Sequence, residues 1–280
     1  MNRDLWRDLQ LKFFKSGSPA MLYIGINVLL FILAALLEVG FTFSGNRGWV
    51  PSQVQEYFAF PATLSILPIK FYTVITYQFF HDGFFHILFN MLWLYWIGQI
   101  FLDFLKPRQF HFVYLGGGIL GALTFLFLYN TIPAFSGQHA TLIGSSASVM
   151  AILAATAILV PDYSIRLLLI GELKLKYLIL AYILLDIIGT AGTNAGGSIA
   201  HLGGAIFGFV FIKLLRSGKD WSTIFKRKPK LKVVKNKAPK KNESTVNQKE
   251  IDTILDKISK SGYDQLTKEE KETLFKASKN

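Results

Sequence analysis

The sequence predicts an all-α protein: a bundle of six membrane-crossing helices with a small cytoplasmic helical hairpin at the C-terminus. Three observations predict it. First, 51% of the 280 residues are hydrophobic and 15% aromatic, even though everything after about residue 217 is strongly hydrophilic, and that composition points to a membrane protein. Second, apolar segments recur at about 21–43, 84–105, 110–129, 146–160, 173–189 and 196–215. Third, with the N-terminus inside and six spans, 28 of the 30 Lys/Arg fall on the inner side, leaving only Arg47 and Lys70 outside. This positive-inside bias fixes both termini in the cytoplasm.

Each element follows in order. Residues 1–20 form a cytoplasmic segment in which Leu5, Trp6, Leu9 and Phe13 alternate with charges, a pattern for a helix lying in the interface. The first span is retained, because no small-residue cleavage site follows it. The long connection 44–80 is rich in aromatics and prolines and is expected to lie on the membrane surface. The fourth span is short, about 15 residues. Opening at a Gly/Ser cluster, it is expected to begin below the membrane surface, with water or protein around its first turn. The Gly-rich "GTAGTNAGGS" between spans five and six suggests a flexible lid. The six-span domain thus covers 21–215.

Residues 216–242 form a basic linker. The stretch 213–241 holds 12 Lys/Arg in 29 residues, the composition of a disordered segment that touches anionic lipid. In 243–280, Ile251, Ile254, Leu255 and Ile258 keep helical spacing. Gly262 suits a helix end, and Thr267 with Glu270 suits a capping box for a second helix. This module is too small to be very stable alone and is expected to serve an unknown partner, a dimer or the membrane face.

Composition also excludes chemistry. With no cysteine there is no disulfide, thiolate metal site or cysteine nucleophile. The net charge of +12 lies mostly in the tail, where topology accounts for it without a nucleic-acid partner. No His-Glu-x-x-His is present for zinc, and no pair of membrane aspartates stands in the motifs that an aspartyl protease needs. No metal or cofactor is expected.

Polar residues inside the spans carry the functional signal, because ionisable groups at that depth are costly. His86 and Asn90 are four apart on the second span and share a face. Helix–helix hydrogen bonding explains such a pair as well as catalysis does. His81 is expected to fix a loop. On the sixth span His201, Gly204 and Gly208 share a face, matching Ala147, Ala151 and Ala155 of the fourth. Two small-residue faces allow backbone contact, which in parallel register brings His201 near Ser146. A serine needs a base to become a nucleophile, a neutral histidine is the usual base, and acyl transfer needs oxyanion donors. Ser146 at a helix start, His201, and His86 with Asn90 supply all three. Ser145 and Ser148 are rivals to Ser146 by residue type.

Over about residues 70–215 these motifs resemble the rhomboid family of intramembrane serine proteases. "HILFN" is similar to the family's His-x-x-x-Asn, "GSSA" to its Gly-x-Ser-Gly, and "AHLGGAIFG" to its Ala-His with glycines three and seven residues on. "IGQIFLDFLKPRQFHFVYLGGGILG" is similar to its second-to-third span region. The resemblance implies a Ser146 nucleophile, a His201 general base, and an oxyanion site of His86, Asn90 and the Ser146 backbone amide. Gly144, Ala147, Met150, Gly204 and Gly208 would pack the helices around them.

It further implies a Ser–His dyad without a carboxylate, and no acidic residue lies near His201 on its own helix. Asp186 is left as a polar contact or water-facing group. Ala147 replaces the family's usual glycine, which predicts slightly looser packing against Gly204. Met150 stands where an aromatic often packs on the histidine. Substrates would be transmembrane proteins, and the compartment a bacterial inner membrane. The alternatives are an inactive relative that binds membrane proteins, and a transporter with a buried-histidine pathway.

Overall fold

A computed structural model describes Leu11 and residues 17–135, 137–167, 171–224 and 247–278. The surface helix expected within 1–15 and most of the basic linker lie outside the described residues. The chain divides into two compact units, Met1–Lys226 and Arg227–Asn280.

The first unit opens with α1 (Pro19–Phe43), entered through Pro19, whose missing N–H costs nothing in a first turn. The connection that follows holds α2 (Trp49–Phe58), β1 (Phe60–Pro61) and the single-turn α3 (Thr73–Thr76). Then come α4 (Phe84–Phe104), α5 (Pro107–Thr131), β2 (Thr141–Leu142), α6 (Ser146–Leu159), β3 (Ser164–Leu167), β4 (Gly171–Lys174), α7 (Leu175–Gly189) and α8 (Ala195–Arg216). Among the described residues α1, α4, α5 and α8 are long and apolar enough to cross a membrane. α1 exposes a continuous apolar face, with Leu36 64% and Leu37 58% accessible. Such a face is stable in lipid and an aggregation hazard in water.

α6 is the centre of the unit, and every residue from Ala147 to Ala157 is buried. Its neighbours reach it over small residues. A Cβ on Gly204 or Gly208 of α8 would strike the Ala147 or Ala151 carbonyl, and one on Gly117 of α5 would strike the Ala151 methyl. α6 and α8 therefore run in the parallel register their small-residue spacing predicts. α1 joins α4 where Ala20 fits over Gly98, and it joins α5 through Tyr23, whose ring stacks on Tyr114 at 3.9 Å and whose hydroxyl meets His111 Nδ1 at 3.1 Å. Buried polar contacts of this kind hold helices where the apolar effect does not discriminate between them.

Four expectations are corrected. The connection 44–80 does not simply lie on a surface. Phe60 and Tyr77 are fully buried and form a second core with Phe125 and Leu142. β1 pairs antiparallel with β2, Phe60 opposite Leu142, so this connection is stitched to the strand just before Ser146. The all-α expectation misses that ladder and the hairpin β3–β4, in which Ser164 faces Lys174. Leu173 belongs to that hairpin, and the fifth apolar helix starts at Leu175. The proposed lid shrinks to the turn residues 190–194, since Gly196 and Gly197 are already helical.

In the second unit α9 (Gln248–Ser261) and α10 (Lys268–Ser278) flank a 3-10 turn. Gly262 ends α9 at φ 81°, a conformation few other residues adopt cheaply. Thr267 and Glu270 form the expected reciprocal cap: the Thr267 N–H donates to Glu270 at 2.8 Å and the Glu270 N–H to Thr267 Oγ1 at 3.3 Å. Lys257 pairs with Glu270 at 2.8 Å, and Ile254 and Leu266 are buried.

Candidate active site

The start of α6 sorts three adjacent hydroxyls. Gly144 turns the chain at φ 117°, and its N–H donates to the Tyr77 carbonyl at 2.9 Å. A Cβ there would come within 2.7 Å of the His86 imidazole, so the site demands glycine for both conformation and space. Ser145 is fully buried, and its hydroxyl lies 3.2 Å from His81 Nε2. Ser148 is also fully buried and donates to Gln78 Oε1 at 2.8 Å. Both are structural contacts, and Ser146 is the half-buried member of the three. It sits at the first helical position, where backbone N–H groups have no intrahelical acceptor and the helix dipole is positive.

Two clefts meet at Ser146. One, of about 580 Å³, is bordered by His86, Asn90, Ser146, Asn194, Gly197 and His201. The other, of about 460 Å³, runs past Asn90, Trp93, Ser146, Met150, Tyr182 and His201. Ser146, His201 and Asn90 border both. The Ser146 hydroxyl makes no hydrogen bond to His201 among the described residues, and such pairs are commonly loose before substrate arrives.

His86 projects from α4 over Gly144. His81 packs against it edge to face, with ring centroids 5.1 Å apart. Burial first, and the His86 ring second, depress the His81 imidazole to about 3. His81 thus stays neutral and holds the loop, as its sequence position suggests. Asn90 donates one amide hydrogen to the His86 carbonyl at 2.8 Å, leaving the other for the cleft.

One packing expectation changes. The Ala147 methyl faces Gly121 of α5, whose own Cβ would lie 2.7 Å from it. Gly204 meets the Ala147 backbone instead, so the extra methyl does not loosen that contact. Met150 is buried and borders the same cleft as His201, matching the space-filling place expected of a thioether.

The larger correction concerns Asp186. His201 Nδ1 and Asp186 Oδ1 are 2.9 Å apart. A carboxylate does accompany the imidazole, then, but it comes from α7 rather than from the histidine's own helix. A single ionisable residue in an apolar span was the available signal. What sequence could not supply was the docking of α7 on α8. There the Ser198 hydroxyl fills the space beside Gly189.

Long apolar helices around a serine and a histidine that border the same two clefts define an integral membrane protein. Residues 68–218 match the rhomboid domain family, and the chain belongs to it. Residues 240–280 match a separate family of unknown function (DUF6576). The chain is 28% identical over 138 residues to presenilin-associated rhomboid-like protein A, mitochondrial, of Danio rerio. It is also 28% identical over 140 residues to presenilin-associated rhomboid-like protein, mitochondrial, of Bos taurus and of Mus musculus. Each match covers 48% of this chain and 35% of the relative, so the shared region is about a third of the relatives' length.

Proposed function

We propose that this chain is an intramembrane serine protease that hydrolyses a peptide bond in or near a transmembrane segment of membrane-protein substrates. The observation that carries the reading is the convergence of Ser146, His201 and Asn90 on the same two clefts, with His86 against the turn that begins α6. Ser146 Oγ attacks the scissile carbonyl while His201 Nε2 takes its proton. The negative charge that develops on the carbonyl oxygen is met by His86, Asn90 and the Ser146 N–H. The amine leaves with the proton from His201, and water then hydrolyses the acyl-enzyme through the same base.

Six spans serve this chemistry. α6 has 14 residues and is about 21 Å long, short of a hydrocarbon core of roughly 30 Å. With its far end at one surface, Ser146 lies below the other, and the clefts admit water to it. Both termini lie on the basic, cytoplasmic side. A bacterial inner membrane draws no support from the relatives named above, which are mitochondrial proteins. Residues 21–215 form the protease domain, 216–242 a lipid-touching linker, and 243–280 a two-helix cytoplasmic module for an unidentified partner.

The test is cleavage of a single-span reporter in liposomes, together with labelling by a fluorophosphonate. Wild type cleaves and is labelled, while Ser146→Ala and His201→Ala lose at least about 10³-fold in rate. The missing Ser146–His201 hydrogen bond favours one rival, an inactive relative that binds membrane proteins. A wild type that neither cuts nor labels would overturn the protease reading and favour that rival.

A further inference from the structure

Asp186 stands in the last turn of α7, and its carboxylate is almost out of contact with solvent, with the side chain 10% accessible. One oxygen meets His201 Nδ1 at 2.9 Å. The other, Oδ2, is buried and has no hydrogen-bond partner among the described residues. No Lys or Arg among them forms an ion pair with it. A buried carboxylate with half its acceptor capacity unused costs more stability than an apolar side chain in the same place. Packing therefore gives no reason for it, and its one directional contact is with the imidazole that borders both clefts.

That contact decides which nitrogen of His201 is free. A neutral imidazole has one N–H and one lone pair. If Nδ1 donates to Asp186, the lone pair is on Nε2, the nitrogen a base needs for the Ser146 proton. We propose that Asp186 is a positioning residue for His201: it holds the Nδ1–H tautomer and stabilises the imidazolium that forms when Ser146 is deprotonated. This rests on the protease reading above. The electron count is that of ordinary acyl transfer. The Ser146 Oγ–H bond breaks as Oγ bonds to the carbonyl carbon, the carbonyl π pair moves to oxygen, and the proton goes to Nε2. On collapse the C–N bond breaks and the amine takes that proton. Asp186 keeps its charge throughout.

The full chain in liposomes or detergent serves for both tests. In wild type, histidine side-chain 15N resonances assigned with His201→Gln should show Nδ1 protonated and Nε2 bare. Asp186→Asn should lower kcat by roughly 10²–10⁴ with KM changed less than about threefold. Asp186→Glu should recover part of the loss. A wild-type His201 protonated at Nε2 overturns the proposal, and so does an Asp186→Asn enzyme with unchanged kcat. The wild-type tautomer needs no activity, and the one variant it calls for is the His201→Gln used for assignment. If wild type fails to cleave more than Ser146→Ala, the protease reading falls, and the tautomer still decides whether Asp186 orients His201.

Discussion

Gly144 carries two constraints at once, a left-handed backbone and an imidazole where a side chain would sit. Gly144→Ala should therefore displace His86 as well as strain the turn. Its signature is a fall in kcat together with a lower thermal midpoint. The groups proposed to meet the oxyanion separate differently. His86→Ala and Asn90→Ala each remove a donor needed only in the transition state, so kcat should fall about 10²-fold or more with KM little changed. Asn90→Ala also strips the bond that the Asn90 amide donates to the His86 carbonyl, so its thermal midpoint should drop as well. The neighbouring hydroxyls give the control. Ser145→Ala loses a buried contact with His81 and should cost about 1 kcal/mol of stability while the protein still takes a fluorophosphonate. Labelling lost in Ser145→Ala and kept in Ser146→Ala would exchange their roles.

At the scale of helices, the approach of α8 to α6 is set by glycine against carbonyl. A methyl on Gly204 would run into the Ala147 backbone, and backbone yields far less readily than a side chain. Gly204→Ala should cost about 1–3 kcal/mol and reduce kcat by carrying His201 away from Ser146. Ala147→Gly should leave that spacing untouched and cost only about 1 kcal/mol in helix propensity. Thermal unfolding in detergent, paired with cleavage rates, checks both. This asymmetry marks the limit of what was legible beforehand. The six apolar segments, the i, i+3, i+7 face of His201 and the alanine repeat of the fourth segment are one-dimensional periodicities, and they sufficed to foresee the parallel register. The direction of the Ala147 methyl depends on where α5 sits, and the reach of Asp186 depends on where α7 ends. Both are set by three-body packing that no spacing encodes. The ladder β1–β2 joins residues some 80 positions apart, two to a side, too short for any alternation to register. Ser146 was separable from Ser145 and Ser148 only by resemblance; in the structure, burial and hydrogen bonds separate them.

At the scale of the whole molecule, two compact units of unlike chemistry share one chain. The first exposes leucines and isoleucines along α1 and buries a small-residue seam, so its stability requires an apolar solvent. The second has only Ile254 and Leu266 buried among its described apolar residues, and depends on caps and the Lys257–Glu270 pair. Solvent-exposed contacts of that kind add little to stability. The catalytic constellation proposed for Ser146 and His201 draws every member from the first unit, and the rhomboid match ends at residue 218. A chain ending at residue 242 should accordingly cleave a reporter in liposomes at the wild-type rate and unfold at the wild-type midpoint in detergent. A tenfold fall in kcat for the shortened chain, with Ser146 still labelled at the wild-type rate, would show instead that the second unit takes part in substrate turnover.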